Sequence, residues 1–174
     1  MTGLQDQPRL TPASRPRTAA RLAAVQALFQ IEQNGDRPDS VIEQFLLHRF
    51  GTTMSGAGYE DGCIPEADTR LFSTIVRDTV SSLTSLTQTI SETLPATWPI
   101  ERLDPVLRAL LMAAISEARA GDAPAPVLIN EYMDVAHGFF SGDEPRLING
   151  VLDTVFKQMN AADGHDTAAD TQPD

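Results

Sequence analysis

The side chains able to do covalent or metal chemistry are few in this 174-residue chain, and their spacing does not suit them to it. His48, His137 and His165 lie far apart, and none has the spacing of a zinc site. Cys63, the only cysteine, stands in a glycine-rich stretch, which excludes an internal disulfide and a cysteine-rich metal site. There is no phosphate-cradling glycine loop and no nucleophile elbow. Glu131 and Asp134 fall three residues apart on one helix, the ordinary spacing of a solvated acidic face. The expectation is a binding protein and not an enzyme, with no metal and no cofactor.

Chemistry for binding is more apparent. Arg9, Arg15, Arg17 and Arg21 stand against a single acid, Asp6, in the first 31 residues. The formal net charge of −11 argues against a nucleic-acid partner, but the local basic end is the better guide to phosphate binding. A solubilising arm explains four terminal arginines equally well. A second group, Asp143 and Arg146, stands in a turn before the last apolar-striped stretch. Asn149 and Gly150 follow inside that stretch. Glycine there costs about 1 kcal/mol against alanine, which points to something packed against the backbone. Asn130 reads as inward-facing, satisfying nearby backbone groups. Trp98, Phe139, Phe140 and Phe29 read as core aromatics rather than base-stacking platforms, with Phe29, two turns after Arg21, the best candidate for an exception.

The elements that must position these residues are helices. Leu22, Val25, Leu28 and Phe29 recur at helical spacing after Ser14, an expected N-cap, and Asn34-Gly35-Asp36 ends the run. A second helix runs from Asp39 or Ser40 to about Phe50. One long helix is expected from Asp68 to Leu94, then a break at Pro95 and Pro99. Three more follow: one opened by Asp104-Pro105 and ended by Gly121, one introduced by Pro124 and Pro126, and one capped by Asp143. No strand-period alternation of useful length occurs. The reading is all-α, with about six to seven helices in two small bundles sharing a core. Residues 1–13 read as a disordered arm, 14–160 as the folded domain, and 161–174 as a disordered acidic tail. The Gly51–Pro65 stretch reads as a long mobile loop. No apolar run reaches the length of about 18 residues that spans a bilayer, and no secretory signal is present, so the cytoplasm is expected.

These residues resemble the NusB family of transcription antitermination factors. The resemblance rests on Ile129-Asn130-Glu131, on Asp143, and on Arg146 before Ile148-Asn149-Gly150-Val151-Leu152-Asp153. It is supported by Arg17, Arg21 and Ala24-Val25-Gln26-Ala27-Leu28-Phe29, and by Leu103-Asp104 with Arg108-Ala109-Leu110-Leu111 through Glu117. It covers most of residues 15 to 160.

The resemblance implies a protein that pairs with the ribosomal small-subunit protein NusE. It also implies binding of the single-stranded boxA element of nascent ribosomal RNA, and work with the RNA polymerase elongation complex and other Nus factors. It assigns RNA contacts to Arg17, Arg21, Phe29, Asp143 and Arg146, the arginines meeting phosphates and Asp143 meeting base edges. It assigns the protein partner to Phe29, Leu107, Arg108 and Leu111. The chain departs from the family pattern in several places. Thr18, Ala19 and Ala20 separate the two arginines, Leu147 replaces a common aromatic, Leu107 replaces a frequent acid, and Met112 replaces a frequent arginine. The expected consequence is weak RNA affinity alone, raised by NusE. Two other readings remain: a helical adaptor for protein partners, and a regulatory domain like the N-terminal region of ribosomal RNA cytosine methyltransferases. A homodimer formed through the Phe29 face is an alternative to a monomer.

Overall fold

The computed structural model describes residues 15–50 and 67–166, with side chains through residue 162. The expected N-terminal arm, Ser14, the Gly51–Pro65 loop and residues 167–174 lie outside the described residues. Seven α-helices and no strand occur among the described residues: α1 (Pro16–Asn34), α2 (Pro38–His48), α3 (Thr69–Ser81), α4 (Leu83–Thr93), α5 (Pro105–Ala120), α6 (Ala125–Phe139) and α7 (Glu144–Asp166). A short 3-10 turn, Ile100–Arg102, precedes α5.

Local chemistry explains most boundaries. Asp104 accepts hydrogen bonds from the N–H groups of Val106 (2.8 Å) and Leu107 (3.4 Å), with Pro105 at the first helical position. Asp68 caps α3 by accepting from the Leu71 N–H at 2.9 Å, and its own N–H donates to the Pro16 carbonyl, tying the starts of α1 and α3 together. Helices α1 and α5 end at Gly35 and Gly121, whose φ values of 70° and 76° are left-handed and suit glycine.

Two boundaries differ from the sequence expectation. The long helix expected over 68–94 breaks at Ser82, where φ −113° and ψ 12° leave the helical range. The Ser81 hydroxyl donates to the Asp78 carbonyl beside the break, a local alternative to the helical ladder. At the other end, α7 continues to Asp166, past Asn160 where the tail was expected to begin.

The helices form two small bundles that share one core. Helices α1, α2 and α3 pack together, and α4, α6 and α7 pack around the other half. α5 joins them, packing on α1, α3, α4, α6 and α7. Its residues Ala109 to Glu117 are all buried, as expected for a helix surrounded by others. Fully buried Phe72, Leu86, Leu110, Leu111, Ile115, Leu128, Tyr132, Ile148 and Leu152 fill the centre.

Candidate nucleic-acid interface

Glu117 ends the apolar run of α5 and has only 3% of its side chain exposed. An acid in such a place needs a buried partner. Arg21 supplies it. Its Nη2 donates to Glu117 Oε1 at 2.6 Å and its Nε to Glu117 Oε2 at 2.9 Å, a two-pronged pair with 3% of each side chain exposed. Its Nη1 donates to Glu131 on α6 at 2.9 Å, and the guanidinium carbon lies 5.9 Å from the Tyr132 ring centre. The Tyr132 hydroxyl donates to Glu117 Oε2 at 2.8 Å.

Burial alone would lower the Arg21 pKa. The hydrogen bond and charge of Glu117, helped by Tyr132 and Glu131, outweigh it and raise the value above that of a free guanidinium. Burial, reinforced by Glu117, pushes the Tyr132 phenol well above its ordinary range. The start of α1 is latched to α6 by two further contacts: Thr18 to Glu131 at 2.6 Å and Arg15 to Asp134 at 2.9 Å.

This cluster corrects two sequence readings. Arg21 does not reach solvent, so it has no donor to offer a phosphate. Glu131 and Asp134 are not simply a solvated face, because both hold arginines of α1. The signal was available: one acid inside an apolar helix run demands a cation from elsewhere.

Arg17, one turn earlier, is exposed and makes no ion pair or side-chain hydrogen bond within the described residues. Asp143 and Arg146 are likewise exposed, with no side-chain partner there. Asp143 directly precedes α7, and its backbone carbonyl accepts the Leu147 N–H at 3.2 Å. Asp143 and Arg146 line an open groove of about 470 Å³ between the start of α7 and the Pro95–Pro99 turn, together with Thr93, Trp98, Leu147, Gly150 and Val151.

Trp98 is not a core residue; it is 36% exposed at the rim of this groove. Gly150 and Asn149 are exposed too, and a Cβ placed on Gly150 would meet nothing within 4 Å. The glycine therefore does not serve close helix packing, as its mid-helix position suggested. Asn130 is also exposed, where an inward orientation was expected.

Phe29 is 36% exposed and lines a second groove, with Gln26, Gln30, Val106, Phe139 and Arg49. Arg49, four residues after Phe45, places its guanidinium over the Phe45 ring at 4.9 Å from the ring centre. Leu107 and Leu111 were expected to face a partner, but they are buried in the core at 1% and 0% exposure. They point inward because α5 is covered on all sides. Arg108 donates to the Ile100 carbonyl at 3.1 Å and pairs with Glu32, tying α5 to α1. The expected site residues thus separate: Asp143 and Arg146 share one groove, Phe29 lies in another, Arg17 stands at the exposed start of α1, and Arg21 is interior.

No group of three or more His, Cys, Asp or Glu side chains suited to a metal ion occurs among the described residues. No described helix is long and apolar enough to cross a membrane. Two helical bundles around a shared central helix, with unpaired charge and aromatic rings in open surface grooves, define a helical binding protein. Comparison with known proteins makes the class specific. The NusB family model matches residues 18–157, and the chain belongs to that family of transcription antitermination proteins. It is 52% identical over 155 residues to the transcription antitermination protein NusB of Gluconobacter oxydans, covering 89% of this chain and 95% of that one. It is 52% identical over 147 residues to the NusB of Granulibacter bethesdensis, covering 84% and 90%. A solved structure of NusB from T. maritima superposes with a TM-score of 0.66 at 25% identity, covering 83% of this chain and 92% of that one.

Proposed function

We propose that this protein is an RNA-binding antitermination factor of the cytoplasm. In this reading it pairs with the ribosomal protein NusE, binds the boxA element of nascent ribosomal RNA, and joins the RNA polymerase elongation complex with other Nus factors. The observation that carries the reading is Arg146 beside Asp143, both without a side-chain partner among the described residues, on a groove with an aromatic rim. A free guanidinium meets phosphate, a carboxylate accepts base N–H groups, and an exposed ring stacks on an unpaired base; single-stranded RNA asks for all three. Arg17, exposed at the start of α1 and without a side-chain partner among the described residues, adds a further cation to this reading. The Phe29 groove, apolar at Phe29, Val106 and Phe139 and edged by glutamines, is the surface assigned to NusE.

In a chain of formal net charge −11, RNA affinity should be low for the protein alone and much higher with NusE. Fluorescence anisotropy of labelled boxA RNA, titrated with and without NusE, tests this. Equal affinities in the two titrations would sink the pairing. A helical adaptor for protein partners is the competing reading, and it expects no RNA retention by the complex at all.

A further inference from the structure

We infer that the groove between the Pro95–Pro99 turn and α7 holds one unstacked base of the RNA, stacked on the Trp98 indole, with the neighbouring phosphate on Arg146. This rests on the RNA reading above and names the base-binding element of that site.

Three independent features lead to it. Trp98 is the only tryptophan of the chain, and it sits at the surface, not in the core. Its backbone is also held in place: the Trp98 backbone N–H donates to the Pro95 carbonyl at 2.8 Å, and Pro99 restricts the main-chain conformation of Trp98 itself. A fixed backbone leaves less freedom to give up when a base stacks on the ring.

Gly150 is the second feature. A glycine inside α7 costs helix stability, yet it neither admits a neighbouring helix nor adopts a left-handed φ. What its missing side chain leaves open is the groove itself. A larger residue at 150 would project into the space facing Trp98.

The third is charge. Among the described residues Arg146 is the only cation lining the groove, it is exposed, and no carboxylate neutralises it. Asp143, on the same wall, has no side-chain partner among the described residues and can accept from the edge of a base. The floor, Leu147 and Val151, is apolar. A flat ring with a polar edge and an attached anion matches these walls, and the volume falls at the small end of ligand sites.

The chain labelled with 5-fluorotryptophan gives a single fluorine resonance, from Trp98, in the complex with NusE. That resonance should move when boxA RNA is added and not when NusE alone is added. Trp98→Ala should weaken RNA binding about ten-fold, and Trp98→Phe should recover most of the loss. Gly150→Leu should weaken binding comparably while leaving thermal stability equal or higher, an outcome a merely structural glycine would not give. The proposal is overturned if RNA binds while the resonance stays put and both variants bind like the parent. It is also overturned if NusE alone produces the full shift, which would make the groove a protein contact. If the parent complex binds no RNA, the RNA reading itself fails and takes this assignment with it.

Discussion

Arg21 and Arg146 each share a site with an aromatic ring, and they have opposite fates. Arg21 lies beside Tyr132 under a cover of Glu117 and Glu131, with each of its three nitrogens bonded to a carboxylate and almost none of its side chain in water. Arg146 lines a groove with Trp98, and nothing within the described residues answers its charge. The residue types are the same; the difference lies in whether carboxylates close the site. A satisfied cluster fixes the positions of α1, α5 and α6, whereas an unsatisfied cation beside an exposed ring is left for a ligand. Removing a partner from the first should damage the fold, and removing a member of the second should damage binding only.

The largest effect expected is at Arg21. Arg21→Ala leaves the Glu117 carboxylate buried without its cation, and such a break costs about 3–5 kcal/mol. Chemical denaturation followed by circular dichroism measures it. A loss below about 1 kcal/mol would erase the distinction between the two arginines. The same result governs RNA experiments, because lost binding in this variant reports lost structure.

Alkaline pH should act next, again on the closed cluster. The folded Tyr132 pKa lies well above the unfolded one. The cluster's contribution is therefore complete below the ordinary phenol pKa of about 10 and declines as pH rises beyond it, by up to about 1.4 kcal/mol per pH unit. The thermal midpoint of the parent should fall across that window. Tyr132→Phe, less stable at neutral pH for want of the bond to Glu117, should show a flatter decline; parallel curves would break this account.

The smallest change, and the cleanest, belongs to Arg146. Arg146→Ala should leave the thermal midpoint within the range usual for surface substitutions, about 0.5 kcal/mol. RNA affinity of the NusE complex should fall, and the dependence of log affinity on log salt should lose about 0.7 in slope, as for one phosphate contact on a single strand. Unchanged affinity and slope would move the phosphate contact elsewhere.

Much of the fold was readable because its signals are local. Asp104-Pro105 announced α5, Gly35 and Gly121 closed α1 and α5, and the apolar stripes gave the helical class directly. The break at Ser82 was not readable, since the stripe of α3 carries on into α4 with little change of phase. The site was less legible for a related reason. Residue type says what a side chain is able to bind, while burial decides whether it is free to do so. Arg17 and Arg21 look alike in sequence one turn apart, and it is Glu117 from α5 and Glu131 from α6 that separate them. Leu107 and Leu111 face inward because α5 is enclosed, a property of the whole assembly of helices. Trp98 was taken for core by its type, although its place between two prolines, outside any periodic stretch, marked it as part of a turn.

The central position of α5 has a consequence for how the chain can be divided. Each bundle borrows this helix as a wall, so neither owns a complete apolar interior. A piece ending before Pro105 would expose the faces of α1 and α3 that α5 covers, and a piece beginning after Ala120 would lose the shared centre of α6 and α7. The two bundles are two shapes but one cooperative unit. The protein should be inherited, shuffled or truncated only as a whole.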